Sequence, residues 1–205
     1  LVRAGDRSQA AVLLEILARE DSYGHVHAAE SLFKVGEVGD GASLQQAMTQ
    51  TENLPLRVMG AAALARSGNA KGLSVLREIL ADRESAANRL AAWALAQTGN
   101  AWDIAQLHNN LPQVNDPPTR LFYEMGLANL GDPAGQGMLL DSLKSDEISR
   151  RVFAANFAGE GHVIDAADRL TALLDDPVPD VRYRAAQSLL MLDRPGRTAQ
   201  DAAIP

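Results

Sequence analysis

The chain of 205 residues contains no cysteine. That removes disulfides, thiol nucleophiles and any zinc site built on cysteine. It leaves the compartment open, because a cysteine-free chain tolerates either redox poise. Aromatic residues make up only 4% of the sequence. No stretch carries a run of lysine or arginine, and 19 basic against 26 acidic residues give a net charge of −7. A duplex-binding protein needs a cationic surface that releases counterions, so nucleic acid is not an expected partner. No apolar run approaches the roughly 18–20 residues of a membrane span. No basic n-region and apolar h-region open the chain. β-branched alternation is nearly absent, which argues against strands. Gly36-Glu37-Val38-Gly39-Asp40-Gly41 superficially resembles a phosphate loop, but it lacks the lysine and follows a helical pattern rather than a strand. It reads as a helix cap and a turn.

What is present is a phrase that returns about every 31 residues: two small residues, then Leu-Ala, then a glycine. Its clearest copies run from Ala61 to Gly68, from Ala92 to Gly99 and from Glu124 to Gly131. Weaker copies pair Leu32 with Gly36, Phe157 with Gly161 and Leu189 with Asp193. The anchors 32, 64, 95, 127, 157 and 189 are spaced 32, 31, 32, 30 and 32. A fixed period of this length is the signature of a solenoid, in which each unit buries its apolar face on its neighbours. The expected repeats cover about 7–36, 39–68, 70–99, 101–131, 133–161 and 163–193, with a frayed tail at 194–205. The chain opens on Leu1 rather than Met, so it is expected to be a piece of a longer protein.

Each repeat reads as two helices. The first carries an i, i+3, i+4 stripe such as Leu73, Leu76, Ile79 and Leu80; the second is the alanine-rich phrase. First helices are expected near 7–19, 40–51, 70–82, 101–111, 134–145 and 163–174. Second helices are expected near 24–35, 55–67, 85–98, 117–130, 147–160 and 178–192. Pro55, Pro117-Pro118 and Pro179 suit first turns, where a missing N–H costs nothing. Ser85, Asp146 and Asp180 are candidate caps or first-turn acids. The recurring glycine should close each second helix in the left-handed conformation. Residues 112–118 form a polar link.

The run from Asp175 to Leu189, with Asp-Pro, Val-Arg, Ala-Ala and Leu in register, closely resembles a HEAT repeat. More narrowly, it is similar to the short bacterial HEAT-like unit also found in phycocyanobilin lyases. The resemblance implies an all-α, right-handed α-α superhelix of about six helix pairs. It also implies a non-catalytic scaffold, without cofactor, that binds a protein or the rest of its parent chain. A second reading is an accessory domain of a larger bacterial enzyme such as a sulfatase-type hydrolase. A third is an enzyme of the HEAT-like lyase or metal-oxygenase type. The di-iron enzyme of this kind, deoxyhypusine hydroxylase, uses His-Glu dipeptides, and none of His25, His27, His108 and His162 is followed by Glu.

Two constellations stand out. Seven residues before successive anchors stand His25, Arg57, Asn88, Arg120, Arg150 and Arg182. This column either binds an anion or, the preferred reading, ties adjoining turns together through carboxylates and helix-end carbonyls, a task suited to the guanidinium fork. The resemblance places second helices on the concave side, and a 3.6 period then points the residues six and two before the anchor inward. The middle of that row, with its last member, gives a candidate binding surface of Arg89, Trp93, Leu121, Met125 and Tyr183, rich in the residue types of interface hot spots. His25 and His27 are two apart and so lie about 200° apart on a helix, unable to share a metal. No catalytic or metal-binding residue is assigned.

Overall fold

The computed structural model describes residues 7–19, 23–82 and 84–193; the tail expected at 194–205 lies outside the described residues. Among the described residues the fold is all-α, with twelve α-helices and no strand. The chain divides between Thr98 and Gly99 into two compact units. The first holds α1 (Ala10–Leu17), α2 (His25–Val35), α3 (Ala42–Met48), α4 (Leu54–Arg66), α5 (Ala70–Ala81) and α6 (Asn88–Thr98). The second holds α7 (Ala101–Asn110), α8 (Pro117–Asn129), α9 (Pro133–Ser142), α10 (Ile148–Glu160), α11 (Ala167–Ala172) and α12 (Pro179–Leu192). Every expected helix is present. Short 3-10 turns replace part of two first helices, before α1 at Arg7–Gln9 and on both sides of α11 at Ile164–Ala166 and Leu173–Asp175.

Local chemistry explains the helix ends. Prolines occupy the first turns of α4, α8, α9 and α12. Asn53, Asn69, Asn100, Asp116 and Asp132 accept backbone N–H bonds at the starts of α4, α5, α7, α8 and α9, each satisfying a donor that the helix itself cannot. Asp180 lies in the first turn of α12, whereas the cap residue of α10 is Glu147 and not Asp146. Gly36, Gly68 and Gly131 adopt φ of 72°, 87° and 84°. At Gly68 the next N–H, from Asn69, reaches back to Leu64 O at 3.0 Å, and at Gly131 Asp132 reaches Leu127 O at 3.0 Å. This is the Schellman closure.

One glycine departs from that expectation. At the end of α10, Gly161 has φ −88° and the positive φ of 52° falls on His162. The same closure has moved on by one residue, with Val163 N bonded to Ala158 O at 2.9 Å. The fifth anchor is therefore Ala158, not Phe157. Leu127, Ala158 and Leu189 then stand 31 residues apart, and the irregular spacing of 30 and 32 disappears.

With that register, the same two positions of the repeat are buried in both units. The anchors Leu32, Leu64, Leu95, Leu127 and Ala158 are buried. So are Leu44, Leu76, Leu107, Leu139 and Leu170, each twelve residues after its anchor. Small residues let neighbouring helices approach. A Cβ added at Gly72 on α5 would lie 2.5 Å from Ala61 O on α4. One added at Gly135 on α9 would lie 2.5 Å from Leu127 Cβ and from Ala128 N on α8. On α10, one added at Gly159 would meet Ser188 of α12 at 2.5 Å.

Gly135 and Gly137 lie on the same helix, but nothing stands within 4 Å of a Cβ at Gly137. Gly135→Ala should therefore lower the urea midpoint, at a cost of about 1–3 kcal/mol from overpacking. Gly137→Ala should raise stability by up to about 1 kcal/mol through helix propensity. Equal shifts in the two variants would show that α8 and α9 are not in close backbone contact.

Candidate functional site

The arginine column is made of bonds to neighbouring turns. Arg57 on α4 donates to Glu78 on α5 at 3.1 Å. Arg120 donates to Glu124 at 3.1 Å and to Leu111 O at 3.3 Å. Arg182 donates to Asp176 O at 2.8 Å and Pro177 O at 3.2 Å. The corrected register puts Arg151, not Arg150, in the equivalent slot of the fifth repeat. Arg151 donates to Ser145 O at 2.7 Å and Asp146 O at 3.1 Å, the same two positions upstream as Arg182 uses. Its fork also holds Asp176 at 2.8 and 3.2 Å. Arg150, one residue early, turns to the buried Glu124 at 2.6 Å and to Ser142 Oγ at 3.3 Å. Glu124 is thus held by two guanidinium groups, and Asp176 by one guanidinium and the Val178 N–H at 2.9 Å.

Burial is the largest single influence on the Asp176 carboxyl and pushes its pKa up. The Arg151 fork, the Val178 N–H and the charges of Arg151 and Arg182 outweigh it, leaving Asp176 below the ordinary carboxylate range. Asp132 behaves alike. Burial raises it, but the N–H groups of Gly135 and Ala134 and the nearby His108, whose Nε2 lies 3.1 Å from Oδ1, bring it below its usual value.

A shallow cleft of about 400 Å³ opens beside Arg151, lined among others by Lys144, Arg169 and Leu173. Its arginines are already engaged: Arg169 donates to Leu140 O at 2.7 Å, and Arg151 is bonded as described. Among the described residues no group of three or more His, Asp or Glu side chains is placed to hold a metal ion. His25 is buried and His27 exposed, on different faces of α2; His27 Nδ1 stands 3.7 Å from Glu30, which bonds Lys34 at 2.6 Å.

The expected binding row separates into two classes. Leu121 and Met125 are buried, Met125 fully so, and neither offers a contact surface. The reason is helix phase. On α8 position −6 lies only about 20° from position +1 on a 3.6-residue wheel, and there +1 is the side that meets the following first helix, as Ala128 meets Gly135. Met125, one turn after Leu121, follows it inward. Arg89 is exposed and Trp93 half-buried. Trp93 meets Phe33 of α2 edge-on at 5.2 Å, with Lys34 Nζ 5.8 Å from its ring, and the Arg66 guanidinium lies 5.4 Å from the Phe33 ring. Tyr183 is exposed, with the Arg184 guanidinium 5.6 Å from its ring.

One feature of the second unit escaped the sequence reading. Phe122 on α8 and Phe153 on α10 meet edge-on with centroids 5.3 Å apart, and Phe122 meets Phe157 at the same distance. Phe153 is 38% exposed. With Ala158 as anchor, Phe122 and Phe153 both stand five residues before their anchors, the position that Leu90 and Arg184 hold in other repeats. With Phe157 as anchor they fall in different columns, which hid the row. No family model matches the chain, and no curated protein matches it.

A carboxylate with a depressed folded-state pKa stabilises above its unfolded value, near pH 4, and loses that contribution as pH falls through the folded value. Acid unfolding of the wild type should therefore steepen below about pH 4. Asp176→Asn, which leaves Arg151 without its anion, should be less stable at pH 7 by about 3 kcal/mol and should lose less on acidification. A variant whose stability falls with pH in parallel with the wild type would remove Asp176 as a source of the acid sensitivity.

Proposed function

We propose that this chain is a non-catalytic binding scaffold, a right-handed superhelix of six HEAT-like helix pairs that recognises a protein partner or the rest of its parent chain. The stacking is supported by the 31-residue register, by the buried leucine column carried through five repeats, and by small residues wherever helices of successive pairs meet. Such stacks present one helix of each pair along a continuous face.

The observation that carries the binding reading is the Phe122–Phe153 row. Two large rings on adjacent second helices hold each other edge-on while one of them remains well exposed. Aromatic side chains held in a fixed orientation give contact area at little further entropic cost and are enriched among residues that dominate binding energy. In the first unit Arg89 and Trp93 remain the contact residues of the proposal. The protein partner would lay an apolar segment across the phenylalanine row, with polar groups meeting Arg184 and Asn156 beside it. Those two already bond each other at 3.4 Å.

Two measurements test this. A photo-reactive phenylalanine analogue at position 153 should give one discrete adduct in cells that express the protein, and none at the exposed Thr171 of α11; adducts at neither site, or equally at both, would remove the proposed contact row. Small-angle scattering tests the stack itself. Six pairs at helix spacings of about 8–10 Å should extend to roughly 50–60 Å, and a profile of two independently tumbling compact bodies would contradict a single superhelix.

A further inference from the structure

In the first unit two aromatic rings and three cations stand together. Phe33 of α2 meets Trp93 of α6 edge-on at 5.2 Å, although α4 packs against both helices. The rings therefore reach each other across α4, where Ala61, Ala62 and Ala63 are small and buried. Lys34 Nζ stands 5.8 Å from the centroid of the Trp93 ring, and the Arg66 guanidinium 5.4 Å from that of Phe33. Arg89 is exposed one turn before Trp93, on the same face of α6. Cations over rings are attracted by the ring quadrupole and so lose less freedom when they pair with a ligand. The sign of this face runs against the rest of the chain. Helices α4 and α6 carry Arg57, Arg66 and Arg89 and no acid, whereas the whole sequence has a net charge of −7. The acids of α2 and its closing turn are Glu30 and Glu37, and Glu30 is bonded to Lys34 at 2.6 Å.

From this we infer that the face binds an acidic segment of the protein partner, a run rich in aspartate and glutamate. Arg66 and Arg89 meet its carboxylates, Lys34, shared with Glu30, adds its charge, and the half-buried Trp93 covers apolar atoms of the segment. The inference rests on the scaffold reading and gives the partner at Arg89 and Trp93 its chemistry. Guanidinium groups suit carboxylates because two parallel N–H bonds fit the two oxygens. A single-stranded nucleic acid fits less well. Its bases stack on open ring faces, and here Phe33 is fully buried and a cation lies over each ring. Nonspecific attraction does not lead to the same result, since a chain of net charge −7 on average repels an acidic polymer.

Fluorescence of the full chain tests this. The sequence has two tryptophans, and Trp102, in the other unit, is 81% exposed, so Trp102→Phe leaves Trp93 as the single reporter. In that background a peptide of repeating Glu-Ala-Gly should change the Trp93 emission saturably at low salt, and the same peptide with Gln in place of Glu should not. Added salt should weaken the binding. Arg89→Gln, at an exposed site, should weaken it about threefold, and together with Arg66→Gln, checked for unchanged helicity, about tenfold. Lys71→Gln, at an exposed site on α5, should leave it unchanged. No response to the Glu peptide, an equal response to the Gln peptide, tighter binding of oligothymidylate, or unchanged affinity in the arginine variants would each overturn the inference. The photo-reactive analogue at position 153 reads the second unit separately. An adduct there without Glu-peptide binding leaves a scaffold whose partner is not acidic, and peptide binding without the adduct removes the phenylalanine row alone.

Discussion

Everything in this fold depends on how closely two backbones can come. A Cβ at Gly72 or Gly135 would sit within 2.5 Å of atoms on the preceding second helix, so these sites tolerate hydrogen alone. With side chains this thin between them, helices lie near the short end of ordinary interaxial distances. Burial of a few leucines per repeat then suffices, because little of the space between helices is left for other side chains to fill. The scarcity of aromatic residues follows from the same constraint. In the second unit Phe122 meets both the buried Phe157 and the partly exposed Phe153 edge-on.

The two units differ in how polar groups reinforce that packing. In the second, arginines of successive second helices bridge to acids and carbonyls of neighbouring helices and turns: Arg150 to Glu124 within α8, Arg151 to Asp176, Arg182 to the turn before it. In the first, the same column holds His25, Arg57 and Asn88, and the Arg57 bridge to Glu78 ends on an exposed carboxylate. Pairs exposed to solvent contribute little, whereas removal of one member of a buried pair leaves an uncompensated charge. Asp132 and Asp176, whose carboxyls are held below their ordinary pKa, tie the stability of the second unit to the ionisation of its acids.

Helix existence and order were legible in the sequence because Leu/Ala periodicity, helix-opening prolines and helix-closing glycines all point to the same boundaries. The fifth repeat shows where that legibility ends. A glycine at 161 and an apolar residue at 157 fit the phrase by eye, yet the Schellman closure selects Ala158 as the anchor, since hydrogen bonding and not side-chain size defines the helix end. That one-residue slip turned Arg150 into a column member in place of Arg151 and separated Phe122 from Phe153. Leu121 and Met125 were misplaced for a related reason. Helix α8 packs against α7, α9 and α10, so little of its circumference faces solvent, and a 3.6-residue projection alone does not say which sector that is. Relative burial is a property of the neighbours, and it cannot be read from the helix by itself.

The junctions Gly68-Asn69 and Gly131-Asp132 join two operations in two residues. The glycine closes one helix, and the next side chain opens the following one by accepting from its N–H groups. At these two junctions the repeats thus carry their own start and stop signals, supplied by adjacent residues. A segment cut between those two residues and pasted into an equivalent junction would bring complete punctuation with it. Such a cassette can be duplicated or deleted without rewriting its neighbours, so the length of an array built this way can change in whole steps while the helix boundaries on either side stay where they were.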